Sequence, residues 1–202
     1  MYKVVLKTLF VTLVCVLPYT DLFCQQLTYT ITVKDDVIGK LKTYKNTHGS
    51  KTDYTLVSDI NVHKVVDIAV FYKLEASFEK SKLMSSKLIQ TTNERQNINS
   101  TTYWNGSNYI VTVDGDKNSI KEKVIDYNLA TLYYQEPINR KKIWSDAYGK
   151  FLAIRMTKKG IYELSLPDGR KNMYTYYKGI CTQVITEQML TKIIFTLTKN
   201  EK

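Results

Sequence analysis

Histidine and cysteine are close to absent from this chain, with two of the first and three of the second in 202 residues. Two of those cysteines, Cys15 and Cys24, fall in an N-terminal leader. The remaining soft ligands are too few for a zinc finger, a three-histidine zinc site or an iron-sulfur cluster. Cys181 is then the single cysteine of the mature chain, which excludes an intramolecular disulfide. It sits between Ile180 and Thr182 with no histidine nearby, and reads as a small buried hydrophobe rather than a nucleophile. Three prolines, 44% apolar and 24% charged residues exclude disorder and collagen. The eight glycines are scattered one to a turn, so no phosphate-binding loop forms, and no Gly-x-Ser-x-Gly elbow is present. His48 and His63 lack an acidic residue or cysteine at ligand spacing and read as surface loop residues. No catalytic residue, cofactor or metal site is expected.

Lys3 and Lys7 precede an apolar run from Thr8 to Leu17 and then Pro18, the shape of a secretory signal peptide over residues 1–24. The run is about ten residues long, whereas a membrane-spanning helix needs roughly 20. Residues 25–202 are expected to form one exported β-rich domain in the periplasm or at the cell surface. In the alternative reading Cys24 is lipidated, although Asp21, Leu22 and Phe23 stand where a lipobox wants a small residue. Removing the leader subtracts two lysines and Asp21, leaving 27 basic and 18 acidic residues from the original 29 and 19. The surplus is almost all lysine. It suits a solvated surface and blunted strand edges, with attraction to anionic headgroups or acidic polysaccharide next in order, and nucleic acid is not expected.

Period-two alternation recurs from end to end, and no stretch has the pattern of a long amphipathic helix. Leu27, Tyr29, Ile31 and Val33 alternate with threonines and Lys34 before a turn at Asp35-Asp36. Val66, Ile68, Val70, Tyr72 and Leu74 alternate within Val65 to Glu75, and a single run extends from Phe78 to Gln90. In all, about twelve strands are expected in an antiparallel meander. Asn105-Gly106, Asp114-Gly115 and Asp168-Gly169 are expected to make tight primed hairpin turns. The rhythm breaks from about Ser119 to Gly149, where Asn128 to Tyr134 could form a short helix ended by Glu136-Pro137. That stretch reads as a cross-connection or cap. So long a sheet is expected to curl into a half-barrel or barrel, with a two-layer sandwich as the other solution.

Several strands, among them Leu152 to Met156 and Met173 to Tyr177, carry apolar or aromatic groups on both faces. This pattern suits a concave face that is covered or lines a cavity. Tyr133, Glu136, Trp144, Asn172, Tyr174 and Tyr176 are the candidate ligand-binding residues. Core or cross-strand pairing is the simpler role for the aromatics. Glu136 with Asp146 or Asp168 could form a carboxylate pair for glycoside hydrolysis, but turn chemistry accounts for Glu136 and Asp168 without it.

The segments Leu132-Tyr133-Tyr134-Gln135-Glu136-Pro137 and Leu166-Pro167-Asp168-Gly169-Arg170-Lys171-Asn172-Met173-Tyr174-Thr175-Tyr176-Tyr177-Lys178-Gly179-Ile180-Cys181 carry a resemblance. With Ile38-Gly39-Lys40 and the spacing of Tyr54, Ser58 and Ile60, the chain resembles a family of uncharacterised secreted proteins of Gram-negative bacteria, known as a domain of unknown function. The resemblance implies an exported single-domain β protein and carries over no catalytic residue. A looser similarity, in meander pattern and export, is to periplasmic half-barrel carriers of lipids and lipoproteins. The expected activity is non-enzymatic binding of an apolar or amphipathic envelope molecule. The alternative is a structural or interaction module that binds envelope proteins or polysaccharide.

Overall fold

The computed structural model describes residues 23–63, 67–188 and 191–201. The leader therefore lies outside the described residues except for Phe23 and Cys24, which pair with Thr47 and Asn46 in the first hairpin. The chain folds as fourteen strands. Phe23–Val33 (β1), Asp36–His48 (β2), Lys51–His63 (β3), Asp67–Glu79 (β4), Lys82–Thr92 (β5), Arg95–Trp104 (β6), Tyr109–Val113 (β7) and Asp116–Ile120 (β8) form one run. Lys142–Ser145 (β9), Lys150–Lys158 (β10), Ile161–Ser165 (β11), Lys171–Tyr177 (β12), Ile180–Gln188 (β13) and Thr191–Glu201 (β14) form the other. All belong to one curved, open antiparallel sheet in the order 8-7-6-5-4-3-2-1-14-13-12-11-10-9. The chain meanders outward from the middle to one edge, crosses over, and meanders back until β14 lies beside β1.

The two strands beyond the expected twelve are β8 and β9. The first, Asp-Lys-Asn-Ser-Ile, is polar on both faces because it is an exposed edge. The second, Lys-Ile-Trp-Ser, is buried on both, so neither shows alternation. The run from Phe78 to Gln90 is in fact a hairpin that turns at Lys80 and Ser81, with φ of 48° and 63°. The first turn falls on Lys34 and Asp35 (φ 47° and 69°), one residue earlier than expected, so that Asp36 opens β2. Asp114-Gly115 is the primed turn expected of it, with positive φ at both residues. At Asn105-Gly106 and Asp168-Gly169 only the glycine is left-handed. Val65 and Val66 lie outside the described residues. His48 and His63 end β2 and β3 rather than lying in loops.

The connection from β8 to β9 crosses the concave face. Its expected helix is a single 3-10 turn at Thr131–Tyr133. One core cluster lines β1 to β7 and a second lines β9 to β13, while Leu129, Tyr133 and Phe195 pack against both. Tyrosine hydroxyls tie the connection down. Tyr109 donates to the Leu83 carbonyl at 2.9 Å and accepts from the Ile125 amide at 3.1 Å. Tyr176 donates to the Leu132 carbonyl at 2.8 Å. The Thr43 hydroxyl meets that of Tyr134 at 2.7 Å, and Tyr134 in turn donates to the Gln25 carbonyl at 3.3 Å. The Tyr134→Phe variant should lose about 1–2 kcal/mol in urea denaturation, because the buried Thr43 hydroxyl is left without its partner. Tyr103→Phe, on an exposed ring, should change nothing measurable.

Candidate functional site

The crossing segment's hydrogen bonds to Gln25, Thr43, Leu83, Tyr162 and Tyr176 lie toward the end of the sheet that holds the β2–β3 and β4–β5 turns, while Asn128 reaches Asp146 toward the other. The opposite end carries two cross-strand rows on its inward face. There Asn172, Thr186, Ile193 and Val33 form one cross-strand row over β12, β13, β14 and β1. Ser58, Tyr72, Gln90 and Ile98 form another over β3 to β6. Val33, Ile60, Tyr72, Ile98 and Ile193 rest on the first core cluster yet remain only half-buried, an apolar shelf on an inward-facing surface.

Beneath this shelf lies polar chemistry. The β9–β10 turn tucks into the concavity, where the Ser100 hydroxyl donates to the Asp146 carbonyl at 2.6 Å. A Cβ on Gly149 would lie 2.8 Å from methyl groups of both Val111 and Val113, so the turn sits tight on β7. This places the Asp146 side chain, 1% exposed, in the interior. One carboxylate oxygen accepts from the Asn128 side-chain amide at 3.0 Å, and the other has no hydrogen-bond partner. Burial pushes this carboxyl up to about 6, against the lowering influence of the neighbouring Ser86 hydroxyl and the Asn128 amide. The hydroxyls of Ser86 and Thr102, register neighbours on β5 and β6, are buried and unpartnered, as is the Trp144 indole N–H.

Three of the six residues singled out from sequence meet here. Tyr133 packs edge-on to Tyr29 with ring centres 5.2 Å apart. Burial, then the neighbouring Tyr174, Cys181, Tyr72 and Tyr29, holds its phenol far above the usual value. Tyr174 is buried with the Asn172 side chain beside its hydroxyl, and the Asn172 amide oxygen is enclosed without a partner. Tyr72 joins them from β4: burial, then Asp146 and Tyr174, raises its phenol. Trp144 is fully buried, edge-on to Phe151 at 5.3 Å, and reaches this region through the turn it precedes.

Glu136 and Tyr176 are not part of that constellation. Glu136 accepts from the Tyr162 hydroxyl at 2.9 Å. It lines a shallow groove of about 360 Å³ at the turn-rich end with Ile138, Arg140 and Lys178. The Tyr176 hydroxyl is spent on Leu132, as described. Asp168 lies elsewhere, in an exposed hairpin where Arg170 donates to it at 2.8 Å, so the structure does not gather a carboxylate pair around Glu136. Tyr72 is the residue that sequence reasoning did not place, and Asp146, weighed there only as a partner for Glu136, lies buried by the β9–β10 turn instead. Tyr72 stands within a clean alternation as one core residue among five.

Cys181 is fully buried, and burial pushes its thiol up to about 12. Protein beginning at Gln25 should therefore show no thiol reactive toward Ellman's reagent while folded, and one in concentrated guanidinium chloride. Among the described residues no group of three or more His, Cys, Asp or Glu side chains could hold a metal ion. Among them, too, no helix is long and apolar enough to cross a membrane.

One antiparallel sheet, wrapped around its own crossing segment and left open at its edges, defines an all-β protein with an inward-facing surface at one end. Over residues 29–198 the sequence matches the family described as Domain of unknown function (DUF6134), and the chain belongs to that family. No curated protein and no solved structure matches it.

Proposed function

We propose that the protein is an exported, non-enzymatic component of the Gram-negative cell envelope that holds an apolar or amphipathic envelope molecule against its concave face. The observation that carries this reading is the apolar shelf of Val33, Ile60, Ile98 and Ile193 beside Tyr72, which rests on the first core cluster and is only half-buried. Inward-facing apolar surface left partly open to solvent costs stability, and a ligand that covers it recovers the loss.

Native mass spectrometry of protein purified after export, compared with the denatured mass, tests this directly. A bound mass that disappears on denaturation is expected, and Ile193→Asp should abolish it. Equal masses for several preparations, with no lipid in organic extracts, would move the weight to an interaction module. That second reading has its own support in β8. The β9 edge is partly occupied by the crossing segment, through the Trp144-to-Tyr127 backbone bond at 2.9 Å and the parallel bridge of Asn128 to Trp144, whereas β8 is the sheet's other edge. An extended segment of an envelope protein could add to it.

A further inference from the structure

The turn-rich end of the sheet holds two depressions that the concave-face reading does not use. The first, of about 310 Å³, lies between the β2–β3 turn, the β4–β5 turn and the crossing segment, where Ser50, Ser81, Asp126 and Gln135 surround Tyr54 and Phe78. The second is the groove of about 360 Å³ in which Glu136, Arg140 and Lys178 stand beside Ile138 and Ile180. Three links join the two into one groove. Gln135 lines both. The ring of Tyr54, in the first, packs 5.6 Å from that of Tyr134, in the second. Arg140, in the second, donates to Asp126, in the first, at 2.8 Å. The polar groups here are open to solvent: Ser50, Ser81, Asp126, Gln135 and Lys178 are all exposed. Two acceptors are held in place, Asp126 by Arg140 and Glu136 by the Tyr162 hydroxyl at 2.9 Å. The Gln135 side chain makes no hydrogen bond among the described residues.

Donors and acceptors interleaved along an open groove suit a ligand whose polar groups each donate and accept, which is the property of a sugar hydroxyl. A free anion would meet the carboxylates of Asp126 and Glu136. An alkyl chain would take water from charged groups and return no hydrogen bond. Ile138, 61% exposed, and Ile180 add a place for one small apolar group among the polar ones. We infer that this groove binds a glycan of 2-acetamido sugars. Its hydroxyls meet Asp126, Gln135 and Arg140, and one acetamido group enters the second depression, with its methyl on Ile138 and Ile180 and its N–H donated to Glu136. The site is separate from the shelf and does not depend on it.

Tetra-N-acetylchitotetraose and cellotetraose, four-sugar chains of the same linkage, differ in the acetamido group and test this directly. Each is titrated into the folded protein, with amide chemical shifts in NMR as the readout. The acetamido chain should bind at least about tenfold more tightly, from one covered methyl and one hydrogen bond to a carboxylate. Ile138→Asp should cut that preference below about twofold, and Gln135→Ala should weaken the acetamido chain at least about threefold. Val37→Asp, at a position 65% exposed in the β1–β2 hairpin, should change neither. All three positions are exposed, and urea midpoints measured on the same samples certify that the variants are folded. Both ligands are uncharged, so the net charge of +10 contributes to neither affinity, and added salt should leave the preference unchanged. Equal binding of the two chains, a preference that persists in Ile138→Asp, or no shift change from either ligand at millimolar concentration overturns the assignment. None of these outcomes bears on the concave shelf, which the native mass measurement tests by itself.

Discussion

Asp146→Asn should be more stable to urea than the natural protein at neutral pH, by up to about 3 kcal/mol, which for a domain of this size is roughly 6–12 °C in melting temperature. The folded-state carboxyl titrates at about 6 instead of 3.8 because it is buried. Below the unfolded value both states are protonated and the residue costs nothing. As the pH rises through the window from about 4 to about 6, the unfolded chain ionises first and the folded state falls behind. Above about 6 the penalty is complete. The stabilisation by asparagine should therefore grow across that window and vanish below it, a profile that a packing effect would not produce. The amide can still accept from Asn128, and its new N–H group faces the Ser86 hydroxyl. A variant that is destabilised at neutral pH, or stabilised equally at every pH, would show that Asp146 is compensated in the folded state.

Gly39→Ala should be among the most damaging single substitutions in the sheet, costing at least about 3 kcal/mol. A Cβ at Gly39 would lie 2.3 Å from the Asp59 carbonyl oxygen and 3.0 Å from the Ile60 Cα. These are backbone atoms of the paired strand, so no rotamer change relieves the clash and β2 must part from β3 where Gly39 faces Ile60. Gly115→Ala gives the contrast. Its Cβ would meet nothing within 4 Å, and the change carries only the conformational cost of φ near +98°, about 1–2 kcal/mol. Urea midpoints for the two variants should differ accordingly, and similar losses would rule out the close approach at Gly39 as the cause.

The strands that could be read in the sequence are those with one wet and one dry face, such as β1, β2 and β4, where burial forces the side-chain period to show. Strands with two like faces escaped, and so did turns built from residues without a turn signature. Lys80 and Ser81 adopt positive φ because the flanking strands are long and well paired, and tertiary pairing outweighs the local cost of about 1–2 kcal/mol per residue. The pairing of β1 with β14 also has no local signal, since antiparallel neighbours are expected to be consecutive. The aromatic strands pointed to Tyr133, Asn172 and Tyr174. Asp146 was legible only as a carboxylate able to pair with Glu136, because its burial comes from the inward tuck of the β9–β10 turn, a matter of how two distant parts of the sheet face one another.

The seam between β1 and β14 has a consequence for how the molecule comes together. Gln26 lies opposite Glu201, so the middle of the sheet forms only when the first strand of the fold meets its fourteenth. Up to that point there are two separate meanders, eight strands on one side and five on the other, each with an open flank. Contacts so distant in sequence make folding slow, and both flanks stay adhesive until the final strand docks. A chain truncated before Thr191 would lack the strand that joins the two meanders. A circular permutant that links the adjacent ends and opens the exposed Gly49-Ser50 turn would instead make that junction local, and should fold faster to the same sheet.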